Sequence, residues 1–162
     1  MDRMRESVFA ALGDLSGKSF LDIFSGSGII AIEAASRGAQ YIEVVEADPR
    51  KRAILLENVK ISPVRINCHF MSAELFIRRA TPKRVKRHFD LIFCDPPFTY
   101  KHKWELLKSI AESDLFYSGT ILLLHHPRED SCSKTPENLT LTDSREFGRS
   151  IVNFYEFYAL GN

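Results

Sequence analysis

The residues with the most chemical potential per position form the run Phe93-Cys94-Asp95-Pro96-Pro97-Phe98. An apolar segment, Phe89 to Cys94, passes directly into an acid, two prolines and an aromatic, which reads as a buried strand ending in a rigid polar loop. Asp95 offers carboxylate oxygens. Pro96 offers a backbone carbonyl and has no N–H to donate, so the mouth of the loop is rich in acceptors. Phe98 adds a flat apolar face beside it. A planar group with an exocyclic NH₂ would have both N–H bonds accepted while its ring stacks, and a nucleobase bearing an amino group fits best. A Pro-Pro pair after a strand also serves simply to turn the chain, so the loop needs a second motif to carry weight.

That motif lies earlier. Phe20 to Phe24 is a compact apolar strand interrupted only by Asp22, followed by Ser25-Gly26-Ser27-Gly28 and a helix-forming run from Ile29 to Ser36. Strand, glycine turn and helix open a nucleotide-binding βαβ unit. Tyr41 to Val45 is the next strand, closed by Glu46-Ala47-Asp48-Pro49. An acid at the end of the second strand, about 20 residues past the glycine turn, is where such folds hydrogen-bond a ribose diol. Glu46 takes that place, with Asp48 as the N-cap of the following helix and Pro49 at its first position. Gly26-x-Gly28 lacks the third glycine of the dinucleotide fingerprint, which counts against a nicotinamide-binding domain. In an open, mostly parallel sheet the ligand sits outside the carboxyl ends of the strands, so Asp22 to Gly28, Glu46 and Asp95 to Phe98 should meet in one crevice.

The remaining elements serve to position these. A helix is expected over Asp2 to Leu12, with Val8, Phe9 and Leu12 on one face. The helix after Pro49 should run to about Ile61 with Ile54, Leu55 and Val59 inward, and Val64 to Phe70 should be a third strand. Met71-Ser72-Ala73-Glu74 leads into a helix carrying Leu75, Phe76 and Ile77. Arg78, Arg79, Lys83, Arg84, Lys86, Arg87 and His88, broken by Pro82, read as a solvated loop, with a phosphate-contacting patch as the alternative. Trp104, Leu107, Ile110 and Ala111 mark another helix, and Thr120 to Leu124 a strongly apolar strand. His125-His126-Pro127 closes that strand. Two adjacent histidines point to opposite faces and cannot share one metal, so both read as strand-end residues. Glu129 to Asn138 is a polar loop, and Leu139 to Glu146 with Ile151 to Tyr158, separated by Gly148, form an antiparallel hairpin.

With 162 residues and 44% hydrophobic content the chain suits a single domain with a real core. Its formal net charge of +1 announces no polycation, so any nucleic-acid surface must be local. No apolar run approaches the roughly 20 residues that span a bilayer, and Met1-Asp2-Arg3-Met4-Arg5-Glu6 lacks a signal-peptide core, so a cytoplasmic protein is expected. Cys68, Cys94 and Cys132 are widely spaced, without a Cys-x-x-Cys pair, and read as reduced thiols rather than a disulfide framework or zinc site.

Phe20-Leu21-Asp22-Ile23-Phe24-Ser25-Gly26-Ser27-Gly28, then Val45-Glu46, then Asp95-Pro96-Pro97-Phe98 resemble the S-adenosylmethionine-dependent methyltransferases that modify exocyclic amino groups. More closely, Asp2-Arg3-Met4-Arg5-Glu6-Ser7-Val8-Phe9, Glu33-Ala34, Ser36-Arg37-Gly38-Ala39 and Phe147-Gly148 followed by Phe154-Tyr155 resemble the RsmD family of 16S ribosomal RNA guanine-N2 methyltransferases. The resemblance covers nearly the whole chain. It implies an α/β, Rossmann-like class I methyltransferase fold over residues 1–162, a mostly parallel seven-stranded sheet with a C-terminal antiparallel hairpin and helices on both faces. It further implies S-adenosyl-L-methionine as cofactor and small-subunit ribosomal RNA or a ribosomal particle as partner. A monomer acting without metal or membrane is the expected form.

Under that reading Asp95, Pro96, Pro97 and Phe98 are the catalytic loop. Asp22, Phe24, Ser25, Gly26, Ser27 and Gly28 line the methionine part of the cofactor, Glu46 and Ala47 its ribose, and Ser72 and Ala73 its adenine. Arg3, Arg5, Lys101 and Lys103 are candidates to contact RNA, with local ion pairing as the alternative for Arg3 and Arg5. The family carries a basic segment and an Arg-Pro-Thr ahead of the Asp-Arg-x-Arg-Glu run, whereas here that run follows Met1. The expectation is that part of the RNA-contacting or cofactor-covering surface is missing. The family also places an acid or amide before an alanine at the third strand's end, where Ser72-Ala73 stands here as a weaker acceptor. Adenine-N6 methylation of DNA or RNA, and a non-catalytic RNA- or nucleotide-binding domain, remain the alternatives.

Overall fold

The computed structural model describes residues 2–80, 88–130 and 134–158. Its elements in order are α1 (Asp2–Leu12), β1 (Ser19–Ile23), α2 (Ile29–Ser36), β2 (Tyr41–Val45), α3 (Arg52–Asn58), β3 (Ile66–His69), α4 (Ala73–Arg79), β4 (Leu91–Cys94), α5 (Lys103–Ala111), β5 (Ile121–Pro127), β6 (Leu139–Phe147) and β7 (Ser150–Phe157). The seven strands form one sheet in the order β3-β2-β1-β4-β5-β7-β6. The first five pair in parallel, and β7 runs antiparallel to both β5 and β6. This is the Rossmann-like sheet with a terminal hairpin that the motif order implied. Strand order reverses between β1 and β4, and a crevice opens there at the carboxyl ends.

The parallel strands read as continuous apolar runs because both faces are covered. Alternate residues enter two cores. Phe20, Ile42, Val44, Leu91, Phe93 and Leu123 pack on the side of α1, α2 and α3, while Leu21, Ile23, Val45, Ile92, Cys94 and Leu122 pack on the side of α4 and α5. Among the described residues, no helix is long and apolar enough to cross a membrane.

Several boundaries differ from the sequence expectation for local reasons. Phe24 lies outside β1, with φ of 64°, a left-handed conformation that few non-glycine residues adopt. The helix after Asp48 is not continuous: a 3₁₀ turn over Pro49–Lys51 precedes α3, and another, Val59–Ile61, follows it. That change of pitch rotates the helix face. Leu55 is buried but Ile54 is 52% exposed, so the inward assignment of Ile54 is corrected. The third strand is shorter than Val64 to Phe70, and β5 continues through Pro127, so both histidines sit within the ladder rather than beyond its end. Lys83, Arg84, Lys86 and Arg87 of the basic stretch, with Pro82, lie outside the described residues, as does Cys132.

Candidate active site

The sheet's hydrogen bonding continues one step past several strands and thereby aligns their loops. Ser25 N–H donates to the Val45 carbonyl (3.0 Å), Glu46 N–H to the His69 carbonyl (3.0 Å) and Asp95 N–H to the Ile23 carbonyl (3.3 Å). These bonds bring the three sequence motifs to the edge of one cleft of about 430 Å³. Its walls include Asp22, Ser25, Glu46, Asp95, Phe98 and His125.

The glycine turn is built from below by α3. Gly28 has φ of 84°, and a Cβ there would meet Leu55 Cδ1 at 2.6 Å, so both backbone and space require glycine. Asn58 Nδ2 donates to the Ser27 carbonyl at 2.9 Å, tying the turn to the end of α3. Glu46 tightens it from the other side: Oε1 accepts from Gly26 N–H (2.7 Å) and Oε2 from Asp48 N–H (2.8 Å). Each carboxylate oxygen keeps a further lone pair for a ligand hydroxyl. Asp48 caps the next turn, accepting from Arg50 N–H at 2.9 Å.

At the floor lies an unsatisfied cluster. Asp22 is 1% exposed, and both its carboxylate oxygens and the Ser25 hydroxyl lack a hydrogen-bond partner. Burial pushes the Asp22 carboxyl well above the usual range, the negative charges of Asp95 and Glu46 push it in the same direction, and the Ala31 backbone N–H in the first turn of α2 opposes them by less. Orphaned acceptors of this kind are uncommon and call for donors from a ligand. A cationic group such as the ammonium of an amino acid moiety answers both the charge and the missing bonds, so the residues present fit the methionine end of S-adenosylmethionine.

The opposite wall is Asp95 to Phe98. Asp95 Oδ1 is held by His125 Nδ1 at 2.9 Å, and Phe98 is 52% exposed with its ring edge-on to His125, 5.8 Å between centroids. Phe24 also lines the cleft, and its ring meets Tyr100 edge-on (5.3 Å), whose hydroxyl donates to Glu74. Cys94, behind the loop, is fully buried and its thiol is pushed up by burial, which opposes a thiolate nucleophile there.

Other site expectations fall elsewhere. Gly28, Ala47, Ser72 and Ala73 are not among the residues lining the cleft; Gly28 is buried and shapes the turn from behind. Ser72 spends its hydroxyl as the N-cap of α4, accepting from Leu75 N–H at 3.1 Å. Lys103 is corrected as an RNA contact: it is 4% exposed, donates to the Tyr100 carbonyl at 2.7 Å and pairs with Asp130. Lys101 is exposed. Arg5 pairs with Asp2 (3.5 Å) and Glu33 (3.9 Å), whereas Arg3 borders a smaller cavity of about 200 Å³ beside the hairpin turn. His125, read from sequence as a strand-end residue, forms a wall shared by both cavities. The signal was available in the pairing: Leu124 is in register with Cys94, which sets His125 beside Asp95.

Comparison with known proteins follows the same lines. The model of the family described as conserved hypothetical protein 95 matches residues 1–156. The chain is 27% identical over 161 residues to Ribosomal RNA small subunit methyltransferase D of Haemophilus influenzae, covering 96% of this chain and 80% of that protein. A solved conserved hypothetical protein from Streptococcus pyogenes superposes with a TM-score of 0.83 at 27% identity, covering 94% of each chain. At the level of fold alone, SMU.776, solved in complex with SAH, superposes with a TM-score of 0.74 at 17% identity, covering 95% of this chain and 48% of that one.

Proposed function

The chain belongs to the conserved hypothetical protein 95 family, and on that premise we propose that it is an S-adenosylmethionine-dependent methyltransferase of small-subunit ribosomal RNA that acts on the N2 amino group of a guanine. The observation that carries this reading is the cleft itself: a buried, unpartnered Asp22 and Ser25 at one end face an acceptor loop with an exposed aromatic at the other. One end suits a cation and the other an aromatic amine.

Bound S-adenosylmethionine supplies an electrophilic methyl on a sulfonium. The protein's own work is orientation. Asp22 and Ser25 take the ammonium of the methionine part, and Glu46, already fixed by two backbone N–H groups, takes the ribose hydroxyls. Asp95 and the Pro96 carbonyl accept the two N–H bonds of the amino group, which turns the nitrogen lone pair out of the base ring toward the methyl. Phe98 stacks on the base, which contributes chiefly to binding, and fixes its plane. A base must leave its stack to enter such a site, which favours a loop or single-stranded target.

The test is methyl transfer from labelled S-adenosylmethionine to small-subunit ribosomal RNA, naked and in particles lacking the modification, followed by nucleoside analysis. N2-methylguanosine is expected. N6-methyladenosine would transfer the specificity to the other exocyclic amine, and cofactor binding without transfer to any RNA would overturn the enzymatic reading. Asp95→Ala is expected to lower kcat on the order of 10²–10³-fold while leaving S-adenosylhomocysteine affinity nearly unchanged.

A further inference from the structure

We propose that His125 is a positioning residue that fixes the acceptor geometry of Asp95 and ties it to the turn of the β6–β7 hairpin. The inference rests on the reading of Asp95 as the acceptor for the amino group. His125 is 4% exposed and makes three directed contacts. Nδ1 meets Asp95 Oδ1 at 2.9 Å, Nε2 meets Ser150 Oγ at 2.8 Å, and the ring meets the Phe98 ring edge-on at 5.8 Å. Ser150 Oγ lies 3.2 Å from the Phe147 carbonyl, which completes a line from the catalytic loop to the hairpin turn.

The protons along that line hold Asp95 steadily. An ionised Asp95 only accepts, so Nδ1 must carry the proton of the Asp95–His125 bond. In neutral His125, Nε2 then accepts from the Ser150 hydroxyl. In the imidazolium, Nε2–H donates to Ser150 Oγ, and the hydroxyl turns its hydrogen to the Phe147 carbonyl. Both arrangements use bonds the structure contains, and both leave Nδ1–H on Oδ1. The orientation of Asp95 is therefore insensitive to the charge of His125. His125 takes one lone pair of Oδ1, which fixes the plane of the carboxylate and with it the directions in which its remaining lone pairs accept from the amino group. A free carboxylate would rotate about χ1 and χ2 and offer that direction only part of the time. The contact with Phe98 extends the same control to the stacking face.

A histidine that merely fills and satisfies the core would show the same burial, and two amide substitutions separate the roles. The asparagine amide nitrogen takes the place of Nδ1 and can still donate to Asp95. The glutamine amide reaches the place of Nε2 and keeps only the Ser150 link. In the full-length protein, His125→Gln is expected to lower kcat about 10- to 100-fold with the RNA KM and S-adenosylhomocysteine affinity little changed, since a misplaced group costs rate rather than binding. His125→Asn should restore kcat to within about fivefold of the parent. Ser150→Ala keeps the histidine but leaves its buried Nε2 without a partner, so it should fold with a somewhat lowered melting temperature and lose kcat even well below that temperature, whether or not the His125 variants fold. Equal losses in His125→Asn and His125→Gln, or full turnover in His125→Gln, would overturn the proposal, as would full turnover in Ser150→Ala where the His125 variants do not fold. Asp95→Ala run alongside keeps the premises apart: if it turns over normally, the acceptor reading of the loop fails instead.

Discussion

Asp22 lies in β1 and Asp95 directly after the neighbouring β4, and both line the same cleft, yet the fold treats them oppositely. Asp22 is sealed from solvent with neither oxygen bonded. Asp95 is partly exposed, and one of its oxygens is bonded to a buried histidine. An unsatisfied carboxylate raises the free energy of the empty protein and is relieved by whatever donors enter. A tethered carboxylate gains little from a ligand's charge but holds a direction. The first arrangement suits binding and the second suits geometry, so the two ends of the cleft should fail in different observables when altered.

The sharpest way to break the contrast is Asp22→Asn. S-adenosylhomocysteine affinity should fall on the order of 10²-fold or more, since truncating one partner of a buried charge pair costs about 2–5 kcal/mol. The ligand-free protein should respond in the other direction. Because the Asp22 carboxyl is raised in the native state, the native state holds a proton that the unfolded chain has released above the ordinary carboxylate range. Its relative contribution to stability is therefore present at low pH and lost as pH rises through the native value. As pH rises above the ordinary carboxylate range, the ligand-free parent should lose melting temperature more steeply than Asp22→Asn, and bound S-adenosylhomocysteine should flatten the parent's curve. Identical pH curves for the two proteins would show that Asp22 is not the strained group.

At the other end, Phe98→Ala removes a stacking face that is half exposed, so the melting temperature should hold. Base–aromatic stacking is worth about 1–3 kcal/mol, so the RNA KM should rise roughly 5- to 150-fold while cofactor affinity stays. A change in cofactor affinity instead would mean that the ring covers the cofactor rather than the base, and the two ends of the cleft would no longer be separable.

The glycine-turn end of the cleft was legible in the sequence because its requirements are local. Gly28 sits where φ is positive and a Cβ would strike Leu55, Asp48 caps its own turn, and Glu46 ends its strand a fixed distance on. The strands and the terminal hairpin followed from apolar runs separated by turn residues, and the mostly parallel seven-stranded sheet from the family resemblance. The other end depends on pairing across the sheet. His125 and Asp95 are 30 residues apart and meet only because β5 lies beside β4 in one register. Ile54 was misplaced because periodicity assumes one pitch, and the segment mixes 3₁₀ and α turns. Ser72 shows a different limit: a serine before a helix can serve a ligand or the helix, and here the backbone N–H of Leu75 takes it.

Lys101 and Lys103 carry the smallest predicted effect and the cleanest contrast between identical side chains. They lie two residues apart beside the acceptor loop, one exposed and the other buried on Asp130 and the Tyr100 carbonyl. Charge in the sequence is the same; charge available to a phosphate is not. If Lys101 neutralises one phosphate of a single-stranded target, Lys101→Ala should lower the slope of log affinity against log salt by about 0.7. Lys103→Ala should leave that slope alone and lower the melting temperature, because it removes the donor that fastens Tyr100 to the start of α5. RNA affinity measured across a salt series for both variants decides the matter. A slope change in Lys103→Ala matching that in Lys101→Ala would mean that the buried ion pair opens when RNA arrives, and the base end of the cleft would then be the more adaptable of the two.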